Sequence, residues 1–141
     1  MHYLATAHSD LHFLLTSDSE PTSRLIVQLL KELGYMKVSE ANNGAMAMRT
    51  FTNARAVGAP ITFLITDCAM PLMDGLALMR EVRADVQLRA VPMLMVTADA
   101  TREHILAAAN AGADDYLVKP FNAAKLKQKI DLLVARYAIT S

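Results

Sequence analysis

Residues 61–71 consist of Ile61-Thr62-Phe63-Leu64-Ile65-Thr66-Asp67-Cys68-Ala69-Met70-Pro71, a short apolar run that is followed by a carboxylate. A run of this length, rich in β-branched side chains, is typical of a buried strand in a parallel sheet. Asp67 stands at the carboxyl end of that strand, where open α/β sheets place their ligands. The stretch therefore predicts a parallel sheet with a functional carboxylate at one edge.

Three other apolar runs are also followed by a polar residue. Asp18 comes after the run 13–15, Thr97 after the run 92–96 and Lys119 after the run 116–118. Strand ends of one parallel sheet lie along the same edge, so these side chains can meet at Asp67 although they are far apart in sequence. Two carboxylates, a hydroxyl and an ammonium group suit the transfer of a phosphoryl group to an aspartate.

Strand-like and helix-like segments alternate along the whole chain. Short apolar runs predict strands, and apolar positions three or four residues apart predict the helices between them. The predicted strands are 12–17, 36–41, 61–66, 92–96 and 116–119. The predicted helices are 21–33, 45–56, one that begins at 74, 101–111 and 122–134. This alternation predicts an α/β fold, a five-stranded parallel sheet with helices on both faces.

The chain is predicted to form one domain with two short ends. The domain spans 11–137, which is long enough for a full hydrophobic core. Residues 1–10 match no strand–helix unit and are expected to be a flexible N-terminal extension. Residues 138–141 are expected to be a C-terminal tail.

Composition excludes several classes of protein. Apolar residues make up 53% of the 141 residues, which is incompatible with a disordered chain. The formal net charge of zero predicts no direct binding to nucleic acid. No apolar run approaches the ~18 residues that a membrane span requires, so no membrane insertion is expected. Cys68 is the single cysteine, which excludes an internal disulfide and fits a reducing cytoplasm.

Three motifs resemble those of the response regulator receiver domains, the CheY-like family. They are Thr66–Gly75, Met95–Ala98 and Tyr116–Phe121, and they stand in the family's order at predicted strand ends. The resemblance covers about residues 12–137. It implies the strand order 2-1-3-4-5. It also implies a two-component signalling domain that phosphorylates and dephosphorylates itself and is not a metabolic enzyme.

The resemblance implies a role for each polar residue at the sheet edge. Asp67 would accept a phosphoryl group from the phosphohistidine of a histidine kinase or phosphotransfer protein. Lys119 would neutralise one phosphoryl oxygen, and Thr97 would donate a hydrogen bond to another. A magnesium ion would be held by Asp18, Asp67 and the backbone carbonyl of Ala69.

The chain departs from the family at the acidic pair after the first strand. Aligned to the family pattern Asp-Asp-Glu-Pro, Asp18 takes the first acidic position and Ser19 the second, which usually touches the metal. A hydroxyl is a poorer magnesium ligand than a carboxylate, so three interpretations stay open. The metal binds weakly through Asp18 and Asp67. Alternatively Glu20 swings in, or a one-residue slip brings Asp18 onto the metal. Or the chain is a pseudo-receiver, a phosphate-independent interaction module.

The resemblance also implies how phosphorylation would be transmitted. Thr97 would move toward the phosphoryl group and Tyr116 would rotate inward. A face built from the fourth helix, the fifth strand and the fifth helix would then bind a downstream protein. The residues expected on that face are Arg102, Ile105, Tyr116 and Lys129.

Two positions that flank the acceptor motifs are expected to control loss of the phosphoryl group. Ala69 and Asp99 come two residues after Asp67 and Thr97. Because Ala69 is small, water should reach the phosphoryl group easily, and the phosphorylated state is expected to be short-lived. His104, on the fourth helix, is expected to face solvent.

Two other classes of α/β protein fit this sequence less well. A hydrolase of the haloacid dehalogenase type needs a second aspartate two residues after the nucleophile, where this chain has Ala69. A dinucleotide-binding Rossmann protein needs a glycine-rich turn after the first strand, and residues 18–21 contain no glycine. The choice therefore lies between a phosphorylated switch and a phosphate-independent interaction module.

Overall fold

Five parallel strands form one sheet in the order β2-β1-β3-β4-β5. The computed structural model describes residues 11–70 and 73–140. The strands are β1 (His12–Thr16), β2 (Lys37–Ala41), β3 (Phe63–Asp67), β4 (Met93–Thr97) and β5 (Asp115–Val118). Each strand runs parallel to its neighbours. The α/β class and the strand order predicted from the sequence are confirmed.

Five helices connect the strands and cover both faces of the sheet. They are α1 (Glu20–Glu32), α2 (Gly44–Ala56), α3 (Gly75–Ala84), α4 (Arg102–Ala111) and α5 (Ala123–Thr140). A polar side chain just before each helix accepts a hydrogen bond from a backbone amide in its first turn, as good N-caps do. These capping residues are Ser19, Asn43, Asp74, Thr101 and Asn122. Each helix therefore starts at a defined residue.

The last helix is longer than the sequence pattern predicts. It continues past the predicted end at 134 through Thr140, so residues 138–140 belong to α5 and are not a separate tail. Leu126, Ile130 and Leu133 keep one face of α5 in the core, and no Gly or Pro follows to stop the helix. Neither α5 nor any other helix among the described residues is long and apolar enough to cross a bilayer. The predicted extension, residues 1–10, and Ser141 lie outside the described residues.

The sheet separates two apolar layers. On one face Leu14, Leu64 and Met95 pack with side chains of α2, α3 and α4. On the other face Phe13 and Phe63 pack with side chains of α1 and α5. β3 and β4 are buried along their whole length, because helices cover both of their faces. The polar residues at the ends of these strands are therefore held on a rigid support.

Candidate functional site

The carboxyl ends of β3, β4 and β5 bring three predicted site residues to one edge of the sheet. Asp67 is the last residue of β3 and Thr97 is the last residue of β4, and both are buried. The register pairs Asp67 with Val96 and Thr97 with Val118, so Lys119 follows directly at the same edge. The backbone amide of Lys119 donates to the carbonyl of Thr97 at 2.8 Å. The three residues therefore lie together.

The Asp67 carboxylate is held by a cation and a hydroxyl. Lys119 Nζ lies 3.1 Å from Oδ1 and 3.3 Å from Oδ2 of Asp67. Ser17 Oγ donates to Oδ2 at 2.9 Å. The side chains of Lys119 and Asp67 are only 30% and 10% exposed, so the ion pair is partly shielded from water. An ammonium group in this position can neutralise negative charge that is added to the carboxylate.

Ser17, and not Ser19, is the serine next to the candidate acceptor. Thr16 pairs with Thr66 in the sheet register, so the residue after Thr16 stands beside Asp67. Ser17 is 4% exposed, and its hydroxyl is committed to Asp67. The neutral residue of the acidic pair, predicted at Ser19, therefore lies two residues earlier in the structure, at Ser17, and Asp18 follows it.

Ser19 instead begins the first helix. Its Oγ accepts a hydrogen bond from the Thr22 amide at 3.4 Å, and its own amide donates to Ser17 Oγ at 3.1 Å. Asp18, which lies between the two serines, is exposed and lines the same cleft as Asp67. Of the three interpretations of the acidic pair, this arrangement supports the one-residue slip, in which Asp18 itself takes the position that faces a metal.

The residues at the cleft fit a weakly held magnesium ion. Asp18, Asp67 and Ala69 line one cleft and offer carboxylate and carbonyl oxygens, which are the ligands that Mg²⁺ prefers. Glu20 does not join them, because it pairs with Arg24 on α1 and its side chain is 77% exposed. Within the described part of the chain, no three His, Cys, Asp or Glu side chains are grouped to hold a metal. The set is therefore short of carboxylates, and binding should be weak.

The Thr97 hydroxyl is turned toward its own loop. Thr97 Oγ1 accepts from the Asp99 amide at 3.0 Å and donates to the Asp99 carbonyl at 3.2 Å. The Asp99 carboxylate in turn accepts from the Thr101 amide at 2.9 Å. Hydrogen bonds from the backbone and side chain of Thr101 lower the pKa of Asp99 below its ordinary value. One chain of hydrogen bonds thus connects Thr97 to the start of α4.

The predicted partner face is organised around one lysine. Lys129 Nζ lies 3.0 Å from Asp115 Oδ1 and 5.2 Å from the centroid of the Tyr116 ring. The Tyr116 side chain is partly exposed. On α4, Arg102 is exposed and Ile105 is partly exposed. Asp115, which none of the sequence motifs indicated, pairs with Lys129 and so holds it beside Tyr116.

Gly75 allows α3 to start directly against the candidate acceptor. A Cβ atom at this position would lie 2.3 Å from the backbone carbonyl oxygen of Asp67. The Gly75 amide donates to the carbonyl of Cys68 at 2.8 Å. Any larger residue would push the backbone of Asp67 out of place, so this glycine keeps the carboxylate in position.

Two further side chains at the cleft have unusual surroundings. Burial, followed by the charges of Asp74, Asp67 and Asp99, raises the pKa of the Cys68 thiol. Cys68 therefore stays protonated near neutral pH, and a protonated thiol is a poor nucleophile.

His104 was expected to face solvent, but it faces the protein. Its ring is half-buried and lines the cleft, and its Nε2 atom is fully buried.

Known proteins share both the sequence and the geometry of this chain. The sequence profile of the response regulator receiver domain matches residues 13–131. The chain is 37% identical over 132 residues to the chemotaxis protein CheY-3 of Vibrio cholerae, covering 94% of this chain and 98% of that protein. It is 40% identical over 126 residues to the chemotaxis protein CheY of Pseudomonas aeruginosa, covering 89% and 98% respectively.

Solved structures extend the likeness to the backbone. Chemotaxis protein CheY4 of Vibrio cholerae, crystallised at low pH, superposes with a TM-score of 0.78 at 28% identity, covering 87% of this chain and 98% of that chain. The receiver domain of a Pseudomonas aeruginosa sensor histidine kinase, with a magnesium ion coordinated in its active site cleft, gives a TM-score of 0.73 at 28% identity, covering 89% and 98%. The chain belongs to the response regulator receiver domain family and is a CheY-like receiver domain of two-component signalling.

Proposed function

We propose that this receiver domain accepts a phosphoryl group on Asp67 from a histidine kinase or a phosphotransfer protein. The observation that carries the proposal is the Asp67 carboxylate, buried at the end of β3 with the Lys119 ammonium 3.1 Å away. A carboxylate oxygen of Asp67 would attack phosphorus, and the bond from phosphorus to the donor's imidazole nitrogen would break. Lys119 neutralises charge on the group that arrives, which is the main form of stabilisation in phosphoryl transfer.

Asp18, Asp67 and the Ala69 carbonyl would hold the magnesium ion during this reaction. A bound magnesium ion supplies charge neutralisation for phosphoryl oxygens. Ser17 contributes a hydroxyl that orients one Asp67 oxygen and leaves the other beside Lys119. The loss of a carboxylate at this position lowers the negative charge of the empty site. The domain should therefore need more magnesium than receivers with a complete acidic pair.

The output of the switch would be carried by Thr97 and the start of α4. In the present state, Thr97 Oγ1 is bonded to the backbone of Asp99. A phosphoryl oxygen on Asp67 would compete for that hydroxyl, and the loop that leads to Thr101 would lose its anchor. The Lys129–Tyr116 contact on the neighbouring face would then be free to rearrange, and a downstream protein would recognise the new face.

The phosphate-independent interaction module remains a second candidate, because of one specific observation. Ser17 and Lys119 already satisfy the Asp67 carboxylate without a metal. If Ser17 and Lys119 hold Asp67 too tightly for it to accept a phosphoryl group, the partner face keeps a single conformation. A downstream protein would then bind that face without phosphorylation.

Backbone-amide NMR with magnesium and beryllofluoride, a phosphoryl mimic, separates the two candidates. A phosphorylated switch predicts shifts at Asp67, Thr97 and Tyr116 when both reagents are present. Asp67→Asn removes the attacking carboxylate and should abolish these shifts, so it serves as the control. No shift in the wild type, with shifts restored in Ser17→Asp, would favour the interaction module and reject the switch.

A further inference from the structure

His104 lies at the cleft end of the inner face of α4. His104, Ala108 and Ala111 are four and three residues apart, so they share the face of the helix that packs on the protein. Both alanines are 2% exposed and belong to the same apolar layer as Met95 of β4. The imidazole continues this stripe at the end where the cleft opens, and it lines the cleft together with Asp67, Thr97 and Lys119.

The Nε2 atom of His104 has no hydrogen-bond partner. Among the described residues it is one of two buried side-chain polar atoms without a partner, and the other is Thr16 Oγ1. A buried polar atom without a partner lowers stability, so such atoms are rare and ask for an explanation. A partner that arrives in another state of the protein would explain this one.

A phosphoryl group on Asp67 would bring three acceptor oxygens, each with more than one lone pair, so it can accept further hydrogen bonds beside its contacts with Lys119, Thr97 and magnesium. Lys119 serves one of them, and Thr97 can turn to serve another. The Ser17 hydroxyl is bonded to Asp67 itself, and the Ser19 hydroxyl caps α1. A magnesium ion held by Asp18 and Asp67 would share the charge of the group, and because this metal site is short of carboxylates, a further protein donor at the cleft would add to the stabilisation.

We propose that His104 is a phosphoryl-binding residue, which donates a hydrogen bond from Nε2–H to an oxygen of the group held on Asp67. The inference rests on the proposed function, because it needs a phosphoryl group on Asp67. The Nε2 atom of His104 has no hydrogen-bond partner in the resting state and would gain one on phosphorylation. The imidazole thus favours the phosphorylated state over the resting state.

Two substitutions of His104 test this role. His104→Leu fills the inner face with an apolar side chain and removes the Nε2 donor. His104→Gln also removes the imidazole but provides an N–H donor from its side-chain amide. Beryllofluoride affinity at saturating magnesium should fall roughly tenfold in His104→Leu, the size of one hydrogen bond to a charged group. His104→Gln should recover part of this loss. The resting stability of His104→Leu, measured by urea unfolding, should be equal to or higher than that of the wild type.

The control is Asn110→Leu, a polar-to-leucine change on the exposed side of the same helix. It should change neither beryllofluoride affinity nor resting stability. Equal affinity in His104→Leu and the wild type would overturn the inference while leaving phosphorylation of Asp67 intact. A loss of resting stability in His104→Leu that accompanies the loss of affinity would show a merely structural role, and would also overturn it. Failure of the wild type to bind beryllofluoride at all would overturn the proposed function, and this inference with it.

Discussion

At the scale of single residues, one serine decides the chemistry of the site. Ser17 donates to Asp67 where a carboxylate would instead repel it. The site should therefore be stable without metal, and its affinity for metal should be lower than with a second carboxylate. A receiver with this serine should need a higher magnesium concentration for phosphorylation than a receiver with two adjacent acidic residues.

The first prediction concerns Ser17→Asp. A second carboxylate beside Asp67 should raise magnesium affinity roughly tenfold, since each added ligand charge strengthens attraction to the cation. Without magnesium the two carboxylates repel each other, so the variant should be less stable than the wild type until metal is added. Calorimetric titration with magnesium measures the affinity, and urea unfolding with and without magnesium measures the stability.

Ser19→Asp is the matched control for this prediction. Asp caps a helix as well as Ser does, so α1 should keep its start. The new carboxylate replaces a hydroxyl that is bonded to the Thr22 amide rather than to Asp67. Its effect on magnesium affinity should be clearly smaller. If Ser19→Asp strengthens magnesium binding more than Ser17→Asp, the register derived from the structure is wrong.

The second prediction concerns the Cys68 thiol. Because its pKa is raised, less thiolate is present at about pH 8 than in an unfolded chain, and alkylation by iodoacetamide should be slow. Asp74→Asn removes the largest of the nearby charges that raise this pKa but keeps a good helix cap. The variant should be alkylated faster than the wild type, as followed by mass spectrometry. Equal rates would show that burial alone controls the thiol.

At the scale of secondary-structure elements, Arg83 ties α3 to the loops at the far edge of the sheet. Its guanidinium donates to the carbonyls of Arg89, Val91 and Gly112 at 2.7–3.1 Å. It also forms an ion pair with Asp114 at 2.8 Å. All of these contacts lie away from the cleft that holds Asp67, so they should affect folding and not the proposed phosphoryl chemistry.

The third prediction is that Arg83→Ala lowers the free energy of unfolding by about 2–4 kcal/mol, because it removes the cation paired with Asp114 and a donor to three backbone carbonyls. Arg80→Ala, on the exposed side of the same helix, should change it by less than about 0.5 kcal/mol. Urea unfolding gives both values. Beryllofluoride binding by the folded Arg83→Ala protein should match the wild type, and a large loss of binding would contradict the separation of stability from function.

The elements themselves could be predicted from periodicity, but their orientation at the site could not. Apolar runs located four of the strands, the partly polar segment 36–41 was also predicted as a strand, and the predicted helix starts lie within one residue of those observed. Ser17, Asp18 and Ser19 can each end a strand or cap a helix, so the sequence alone could not decide which of them faces Asp67. The inward position of His104 was missed because polar residues on a helix usually face solvent. The network around Arg83 depends on contacts between distant segments, which no local pattern contains.

At the scale of the whole molecule, the two ends of the parallel strands carry different kinds of residue. The carboxyl edge carries Asp67, Thr97 and Lys119 around an open cleft. Near the start of β4, the Met93 amide donates to Asp114, and Asp114 also contacts Arg83 and Tyr137. The contacts of Arg83 and Asp114 thus support the fold at the opposite edge of the sheet from the cleft. The cleft can therefore accept substitutions without loss of the fold.

The last prediction tests one of these apolar layers through Tyr35. Tyr35 is 2% exposed, and its ring packs edge-on against Phe13 at 4.9 Å. Burial, with a smaller contribution from the charge of Asp131, raises its pKa from 10.0 to about 12. The folded state therefore holds this proton more tightly than the unfolded state does. The resulting stability is complete below about pH 10 and is lost as the pH rises toward about 12.

Tyr35→Phe removes this ionisation but keeps the aromatic contact with Phe13. Above about pH 10, the free energy of unfolding should fall more steeply with pH in the wild type than in Tyr35→Phe. Only in the wild type does unfolding release a proton from this phenol, so only there does rising pH favour the unfolded state through it. Urea unfolding at several alkaline pH values measures both slopes, and lysine ionisation contributes equally to the two proteins. Parallel slopes would mean that Tyr35 titrates as it does in water. The layer between β1 and α1 would then have to open to solvent at alkaline pH while the rest of the fold persists.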